Sequence, residues 1–277
     1  NMLRPGLAVL AVAILTGVTL FLLLSPSTSS LEQTPGIDSG YLVEAAAGSD
    51  SLSWGVQRRS GQQPPQADPL SLRCLEGRGI WIGDTGTRRV YLTFNCGWEN
   101  GLTRLTLDTL QQHQVPAAFF LTGEYAGRNP ELVKRMAAEG HLLGTHGETH
   151  RSFPLLTEAE ARRELIVSSE KIARLTGVKP RYFRPPGGEF NRLTLKLAQE
   201  LGFTTVFWSL SYPDWDVAQQ PGRQAAFKRV ISDIHPGAII QLHTVSSSSN
   251  QALGDIIQEL KAQGYTLGTL DELKTPH

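Results

Sequence analysis

The stretch that decides the fold is Val90-Tyr-Leu-Thr-Phe-Asn-Cys96, in which a run of apolar and β-branched residues ends in an amide and a thiol side chain. Such a short run predicts a buried strand at residues 90–94. Six similar runs follow it along the chain. Together they predict seven strands, at residues 90–94, 117–121, 141–145, 182–184, 204–208, 238–243 and 266–270.

The segments between these runs carry helix start and stop signals. Thr157 and Glu160 have the spacing of a capping box, and Gly177 marks the end of the same helix. Asn191 and Gly202 bracket a second helix in the same way. Strands that alternate with helices predict a parallel α/β architecture, and periodicity alone leaves open whether the sheet closes into a barrel.

The amino-terminal part of the chain differs in composition from the rest. Residues 7–24 are uncharged and mostly aliphatic, and the segment is long enough to cross a bilayer. Arg4 precedes it and no basic residue follows until Arg58, which predicts an internal amino terminus and an exported remainder. A cleaved signal peptide is the alternative, although no Ala-x-Ala-like cleavage site follows.

These patterns predict an extracytoplasmic protein that is anchored to the cytoplasmic membrane, or secreted if the segment is cleaved. The predicted organisation is a signal anchor or signal peptide at 1–30, a linker and extension rich in Ser, Gly, Gln and Pro at 31–69, and a folded domain at 70–277.

Charge and cysteine content exclude several classes of protein. Lys plus Arg and Asp plus Glu are balanced at 26 each, so no net field would gather nucleic acid. The two cysteines, Cys74 and Cys96, are too few for a disulfide framework, although one bridge remains open if the protein is exported.

Polar side chains gather where the predicted strands end. They are Asn95 and Cys96 after the first strand, His146 and His150 after the third, Arg184 at the end of the fourth, Trp208 and Asp214 at and beyond the fifth, and His243 at the end of the sixth. Because the carboxyl ends of parallel strands lie at one face of the fold, we expect these side chains to form one site.

Several of these residues have both a functional and a structural interpretation. His146 and His150 have the spacing of a metal pair, or they are two exposed histidines at a helix start. Cys96 can supply a third, thiolate ligand, can be a small buried apolar residue, or can be bridged to Cys74. His243 in a predicted strand is either functional or a core histidine.

A turn and a set of aromatic residues complete the candidates. Arg184-Pro-Pro-Gly-Gly188 is a rigid turn that can expose backbone N–H groups to a developing oxyanion, or that merely turns the chain. Trp98, Trp208, Tyr212 and Trp215 are either core residues or faces on which sugar rings pack.

Five segments in this order resemble the polysaccharide deacetylases with a NodB-homology domain, carbohydrate esterase family 4. They are Thr93-Phe-Asn-Cys-Gly-Trp-Glu-Asn-Gly101, Gly144-Thr-His-Gly-Glu-Thr-His150, Arg184-Pro-Pro-Gly-Gly188, Tyr212-Pro-Asp-Trp215 and Gln241-Leu-His-Thr-Val245. The resemblance runs from about residue 53 to residue 273, and it is greatest to the peptidoglycan N-acetylmuramic acid de-N-acetylases of spore formers that make δ-lactam.

The resemblance implies a distorted (β/α) barrel of about seven parallel strands, preceded by the transmembrane or signal helix and the linker. It implies hydrolysis of N-acetyl groups on a cell-wall polysaccharide, with peptidoglycan or a related N-acetylated glycan as partner. It also implies a divalent metal bound by His146 and His150, with Cys96 at the position of a third ligand. Imidazole and thiolate ligands favour zinc.

The catalytic roles are likewise implied by position in the family motifs. His243 would protonate the leaving amine, and Asp214 would orient the imidazole of His243 through a hydrogen bond. Arg184 would steady the general base at position 95. The implied substrate-binding residues are Trp98, Gly187, Trp208, Trp215 and Leu242.

This sequence departs from the family pattern at the base position. Asn95 stands where the family has Asp, and a neutral amide cannot accept a proton from water. A lost general base costs about 10²- to 10⁴-fold in rate. Glu148 or Glu99 can replace it if the fold brings either carboxylate to the site.

Two functions therefore follow from the sequence. The first is a metal-dependent peptidoglycan de-N-acetylase with a modified site. The second is a pseudoenzyme that acts as a wall-binding or sporulation-associated module. Release of acetate from peptidoglycan separates them.

Overall fold

A computed structural model describes residues 51–273 of the chain. In that range the strands, numbered β1 to β13, are Leu52–Ser53, Val56–Gln57, Gln66–Ala67, Gly79–Ile80, Arg89–Cys96, Ala118–Leu121, Leu142–Thr145, Tyr182–Phe183, Glu189–Phe190, Thr204–Val206, Leu210–Ser211, Ile239–His243 and Thr266–Leu267. The α-helices, numbered α1 to α8, are Pro69–Leu75, Leu102–His113, Gly123–Arg128, Pro130–Ala138, Glu158–Thr176, Arg192–Glu200, Arg223–Asp233 and Ser247–Ala262. Short 3₁₀ turns lie at Phe153–Leu155, Pro186–Gly188 and Leu270–Glu272.

The main sheet has the strand order β11, β12, β5, β6, β7, β8, β10 and β4, and β13 pairs with β5. Its strand pairs are parallel. All seven predicted strands lie in this sheet, as β5, β6, β7, β8, β10, β12 and β13. The parallel α/β prediction is therefore confirmed. Within residues 51–273 the sheet has nine strands rather than about seven. The two strands that were not predicted, β4 and β11, lie at the two ends of the strand order.

The sheet forms an incomplete barrel whose two end strands do not pair. β10 pairs with β8 and β4, whereas β11, only four residues further along the chain, pairs with β12 at the opposite end of the order. Between them, the Phe207 N–H donates to the Ile80 carbonyl and the Ser209 N–H donates to the Ile239 carbonyl. The chain itself therefore bridges the two ends of the sheet, and Trp208 lies in this bridge.

The predicted helix ends are confirmed. Thr157 and Glu160 form the capping box of α5, and Gly177 ends this helix with φ of 76°. The Asn191 side chain accepts a hydrogen bond from the Thr194 N–H and begins α6. These are local signals, and each satisfies backbone groups that a helix end leaves without partners.

The central strand β5 separates two parts of the core. Val90, Leu92 and Phe94 belong to the cluster that also contains the buried residues of α2 and α8, whereas Tyr91 belongs to a second cluster. Successive side chains of a strand point to opposite faces of the sheet. Asn95 therefore shares the face of Tyr91.

No helix within residues 51–273 is long and apolar enough to cross a membrane. The 19-residue helix α5 has several Glu and Arg side chains and buries only one face. The membrane or signal segment predicted at 7–24 lies outside the described residues. The predicted fold class is corrected accordingly: the described residues form an incomplete α/β barrel of nine strands, and no transmembrane helix is found among them.

Residues near the start of the described range pack onto the barrel. Strand β1 pairs antiparallel with β9, and Trp54 is buried. The Trp54 indole N–H donates to the Trp208 carbonyl at 2.9 Å, and its ring stacks on Phe207 with centroids 4.6 Å apart. The packed unit therefore begins at or before Leu52.

Candidate active site

Four strands bring polar side chains to one edge of the main sheet. Asn95, near the end of β5, is in register with His243, the last residue of β12. His146 directly follows β7, and Arg184 directly follows β8. Because these strands are parallel, their carboxyl ends meet at this edge.

Arg184 is a fully buried cation among neutral oxygens. Its guanidinium donates to Thr93 Oγ1 at 2.9 Å, to Asn95 Oδ1 at 3.0 Å, and to the carbonyls of Val206 and Phe207 at 3.0 and 3.2 Å. It also lies 4.1 Å from the centroid of the Phe120 ring. Burial lowers the pKa of Arg184 to about 9. No carboxylate of the described chain pairs with this charge.

The side chain of Asn95 lies between Arg184 and His243. Its Oδ1 accepts from Arg184, and its Nδ2 lies 3.4 Å from Nε2 of His243. This arrangement assigns the two ends of the amide, since the guanidinium can only donate. Asn95 therefore connects Arg184 and His243 through a neutral amide.

His243 and Asp214 form a hydrogen-bonded pair. Nδ1 of His243 lies 2.7 Å from Oδ1 of Asp214. The fully buried Asp214 also accepts from the His243 backbone N–H at 2.9 Å and from the Ser249 hydroxyl at 2.7 Å. The carboxylate thus keeps the Nδ1–H tautomer and leaves Nε2 of His243 directed at Asn95 and the cleft.

His146 and His150 lie together, as their spacing predicts. Their ring centroids are 4.9 Å apart, and His146 Nδ1 lies 2.6 Å from the Arg184 carbonyl. That bond orients the ring and leaves Nε2 as the acceptor. Burial lowers the pKa of His146 well below its usual range, and it lowers the pKa of His150, to which the nearby His243 also contributes. Both imidazoles are therefore held in the neutral, metal-binding form.

Glu164 on α5 holds the loop between the two histidines, and the sequence analysis missed it. Its buried carboxylate accepts from the backbone N–H groups of Glu148 and Thr149, at 2.7 and 2.8 Å, and from the Thr149 hydroxyl at 2.7 Å. The available signal was its place on the helix face of Ala161 and Leu165, where an acidic residue needs a buried partner.

Neither of the two alternative bases reaches the cleft. Glu148 pairs with Lys171 on α5. Glu99 accepts from the Gly101 N–H and the Tyr125 hydroxyl, at 2.6 and 2.9 Å. Each carboxylate therefore has a structural partner elsewhere.

Cys96 lies apart from the two imidazoles. Strand β5 continues through Cys96, so its side chain points away from the face of Asn95 and packs, fully buried, with Phe94. The Thr244 hydroxyl lies 3.5 Å from its sulfur, and burial raises the pKa of the thiol. Cys96 and Cys74 are both free thiols. Within the described residues, no three His, Cys, Asp or Glu side chains are gathered as a metal site.

The main cleft has a volume of about 730 Å³ and an aromatic lining. Trp98 and Trp215 are 49% and 59% exposed, so both present faces on which a sugar can pack, and Trp208 and Gly187 also line the cleft. Leu242 does not line it, because this residue points to the opposite face of β12 and is fully buried.

The ionisable side chains with a basic group in this cleft are three histidines and one arginine. Its lining within residues 51–273 contains His146, His150, His243 and Arg229, and no Asp or Glu. Asp214 lies beneath His243 rather than at the surface of the cleft. The cleft can therefore bind a sugar and move protons through imidazole, but it offers no carboxylate base.

Comparisons with known proteins agree with the motifs. Residues 82–206 match the family model of polysaccharide deacetylases. A Bacillus subtilis protein named peptidoglycan-N-acetylmuramic acid deacetylase is 39% identical over 236 residues, which cover 84% of this chain and 90% of that protein. The structure of that protein, described as a family 4 carbohydrate esterase, covers 81% of this chain and 97% of its own with a TM-score of 0.79.

A further solved structure is similar to this chain. It is a mutant of a Bacillus anthracis protein, described as a pseudoenzyme of carbohydrate esterase family 4 with restored enzymatic activity. The identity is 33%, the TM-score is 0.68, and the match covers 73% of each chain. Sequences with this fold thus include both deacetylases and a pseudoenzyme.

Proposed function

The chain belongs to the polysaccharide deacetylase family of hydrolases, carbohydrate esterase family 4, and from this premise we propose that it removes N-acetyl groups from the glycan of peptidoglycan. The observation that carries the proposal is the His243–Asp214 pair, in which Nε2 of His243 faces an aromatic cleft. Because peptidoglycan lies outside the cytoplasmic membrane, the proposed site of action is extracytoplasmic.

Both proton transfers are assigned to His243. With Nδ1–H held by Asp214, Nε2 takes a proton as water attacks the acetamide carbonyl carbon, and the carboxylate stabilises the resulting imidazolium. The imidazolium then gives this proton to the amine nitrogen as the C–N bond breaks. The products are acetate and a free amino sugar. One histidine serves twice because no carboxylate of residues 51–273 lines the cleft.

Other groups orient the substrate and stabilise charge. The Gly187 N–H in the turn after Arg184 is the proposed donor to the oxyanion, since Gly187 lines the cleft with φ of 64°. The exposed faces of Trp98 and Trp215 are the proposed sugar platforms. The buried charge of Arg184 adds a positive potential beneath the reacting carbonyl.

A metal ion fits two of the three predicted ligands. His146 and His150 are neutral and paired, whereas Cys96 points to the other face of the sheet. These two imidazoles would hold a divalent metal, and imidazole ligands suit zinc better than magnesium or manganese. When bound, such an ion supplies positive charge that polarises the acetamide carbonyl.

Acetate release from purified peptidoglycan tests the proposal. We expect slow hydrolysis by the wild type and a further loss of about 10²-fold or more in His243→Gln, because both proton transfers then fail. His113→Gln, at the end of α2 and outside the cleft, is the matched control. Hydrolysis that survives in His243→Gln would show that the proton passes through another group.

A second candidate function is favoured by Asn95. An intact aromatic cleft with a neutral base position can bind glycan without hydrolysing it, and this candidate is supported by the similarity to the Bacillus anthracis pseudoenzyme. The candidate predicts a wild type that binds the glycan and releases no acetate above the rate of His243→Gln.

A further inference from the structure

A second cleft continues the main one on the side of Trp208. It has a volume of about 250 Å³. Trp208, Ser211 and Arg229 line both clefts, so a ligand in the main cleft can extend into the second without leaving the surface of the protein.

The second cleft has an excess of positive charge. Arg58, Arg59 and Arg229 line it together with a single carboxylate, Asp233. Arg58 Nη1 lies 2.8 Å from both oxygens of Asp233, so this carboxylate already has a close partner. Three guanidinium groups and one carboxylate leave two positive charges without compensation.

Arg229 and Arg59 have the least compensated charges of the three arginines, because Asp233 pairs more closely with Arg58 than with Arg229. Nε of Arg229 lies 3.3 Å from Asp233 Oδ2, yet this buried atom makes no hydrogen bond among the described residues. Arg59 is exposed and forms no ion pair within residues 51–273. Since Arg229 is shared with the main cleft, it lies where the two parts of a ligand would meet.

We propose that this cleft is a subsite for a carboxylate-bearing substituent on the glycan, read by Arg229 and Arg59. The proposal rests on the proposed function, in that the main cleft must hold the N-acetyl sugar. A guanidinium donates two parallel hydrogen bonds to the two oxygens of a carboxylate, whereas a hydroxyl offers only a single, uncharged oxygen. In peptidoglycan the carboxylate comes either from the lactyl ether of the sugar or from the attached peptide.

Calorimetric titration of the full-length chain tests the subsite. The probes are chitotetraose, which has no carboxylate, the alternating tetrasaccharide of N-acetylglucosamine and N-acetylmuramic acid, and the same tetrasaccharide with its peptides attached. We expect the wild type to bind a carboxylate-bearing glycan about fivefold to tenfold more tightly than chitotetraose. Preference for the free lactyl group or for the peptide-bearing form identifies the source of the carboxylate.

Three variants assign the preference to its residues. Arg229→Gln and Arg59→Gln should each lower it towards unity. Arg59→Gln, which lies outside the main cleft, should also leave chitotetraose affinity within about twofold. Arg223→Gln is the matched control, because Arg223 lies on the same helix α7 but pairs with Asp255 outside both clefts. Asp233 keeps Arg58 as partner in both test variants, so we expect all three proteins to fold.

The outcomes separate this inference from the proposed function. If the wild type prefers the carboxylate-bearing glycan but releases no acetate, the subsite is supported and the deacetylase function is refuted. Equal affinities for the charged and uncharged glycans, or an equal effect of Arg223→Gln, overturn the subsite whatever the hydrolytic activity. If the wild type binds none of the three glycans, both the subsite and the proposed function are refuted.

Discussion

Replacement of Asn95 by Asp is the most direct test of the site. The new carboxylate oxygen would take the place of Asn95 Oδ1, which lies 3.0 Å from Nη1 of Arg184. The buried guanidinium would thus gain the carboxylate partner that it lacks, and we expect the pKa of Arg184 to rise again. The other carboxylate oxygen would lie near Nε2 of His243, where the amide nitrogen is now 3.4 Å away.

We expect Asn95→Asp to raise the rate of hydrolysis rather than the stability of the fold. Two unit charges about 4 Å apart attract each other by about 4 kcal/mol at an effective dielectric constant of about 20. Removing the carboxylate from water costs several kcal/mol, so the melting temperature should change little. A positioned general base accelerates hydrolysis by about 10²- to 10⁴-fold, which corresponds to about 3 to 5 kcal/mol of barrier.

The assay measures acetate release from peptidoglycan and from chitooligosaccharides at saturating substrate. Asn95→Leu controls for loss of the amide without gain of a carboxylate, and His243→Gln in the Asn95→Asp background should remove most of the gain. The reasoning is refuted if Asn95→Asp binds the glycan with unchanged affinity and is no faster than the wild type. A fast wild type with no further gain would point to another base.

Three further predictions concern groups around the site and in the core. Glu164→Ala should lower the free energy of unfolding, measured by urea titration, by about 2 to 4 kcal/mol, because three donors lose their acceptor. Glu164→Gln should recover part of this loss. If both variants were as stable as the wild type, Glu164 would not hold the loop. Cys96→Ser and Cys74→Ser should contain the same amount of zinc by elemental analysis, since the Cys96 thiol faces away from the imidazoles. Zinc loss in Cys96→Ser alone would place that thiol in the metal site. Burial lowers the pKa of His235. Below a pH of about 6.5 the unfolded chain therefore binds more protons than the folded one, and the free energy of unfolding falls as the pH drops. In chemical denaturation between pH 7 and 5, His235→Asn should show a shallower fall than the wild type, and an identical slope would contradict this account.

Local signals in the sequence predict the ends of α5 and α6 and the positions of seven strands of the main sheet. The capping box at Thr157 and the glycine at 177 act within a few residues, so they predict the ends of α5 without knowledge of its neighbours. The parallel arrangement follows from strands that alternate with helices. It also places Asn95, Arg184 and His243 at one edge, because parallel strands all end on the same side.

The expectation of a missing base likewise comes from the sequence, since Asn95 stands in the first of the five segments that resemble the family. The consequence of that substitution does not. Only the packing of β5, β8 and β12 shows that Arg184 is fully buried with four neutral oxygens as partners and that no carboxylate of the described chain lines the cleft.

Tertiary structure alone decided which of two adjacent side chains reaches the site. Sequence analysis ends the first strand at residue 94 and leaves both Asn95 and Cys96 free to turn inwards. Pairing of Cys96 with Leu121 of β6 extends the strand by two residues, and the alternation of a strand then sends Asn95 to Arg184 and Cys96 to the opposite face. The extent of a strand depends on a partner distant in sequence, which no local pattern contains, and so the predicted ligand Cys96 became a buried packing residue.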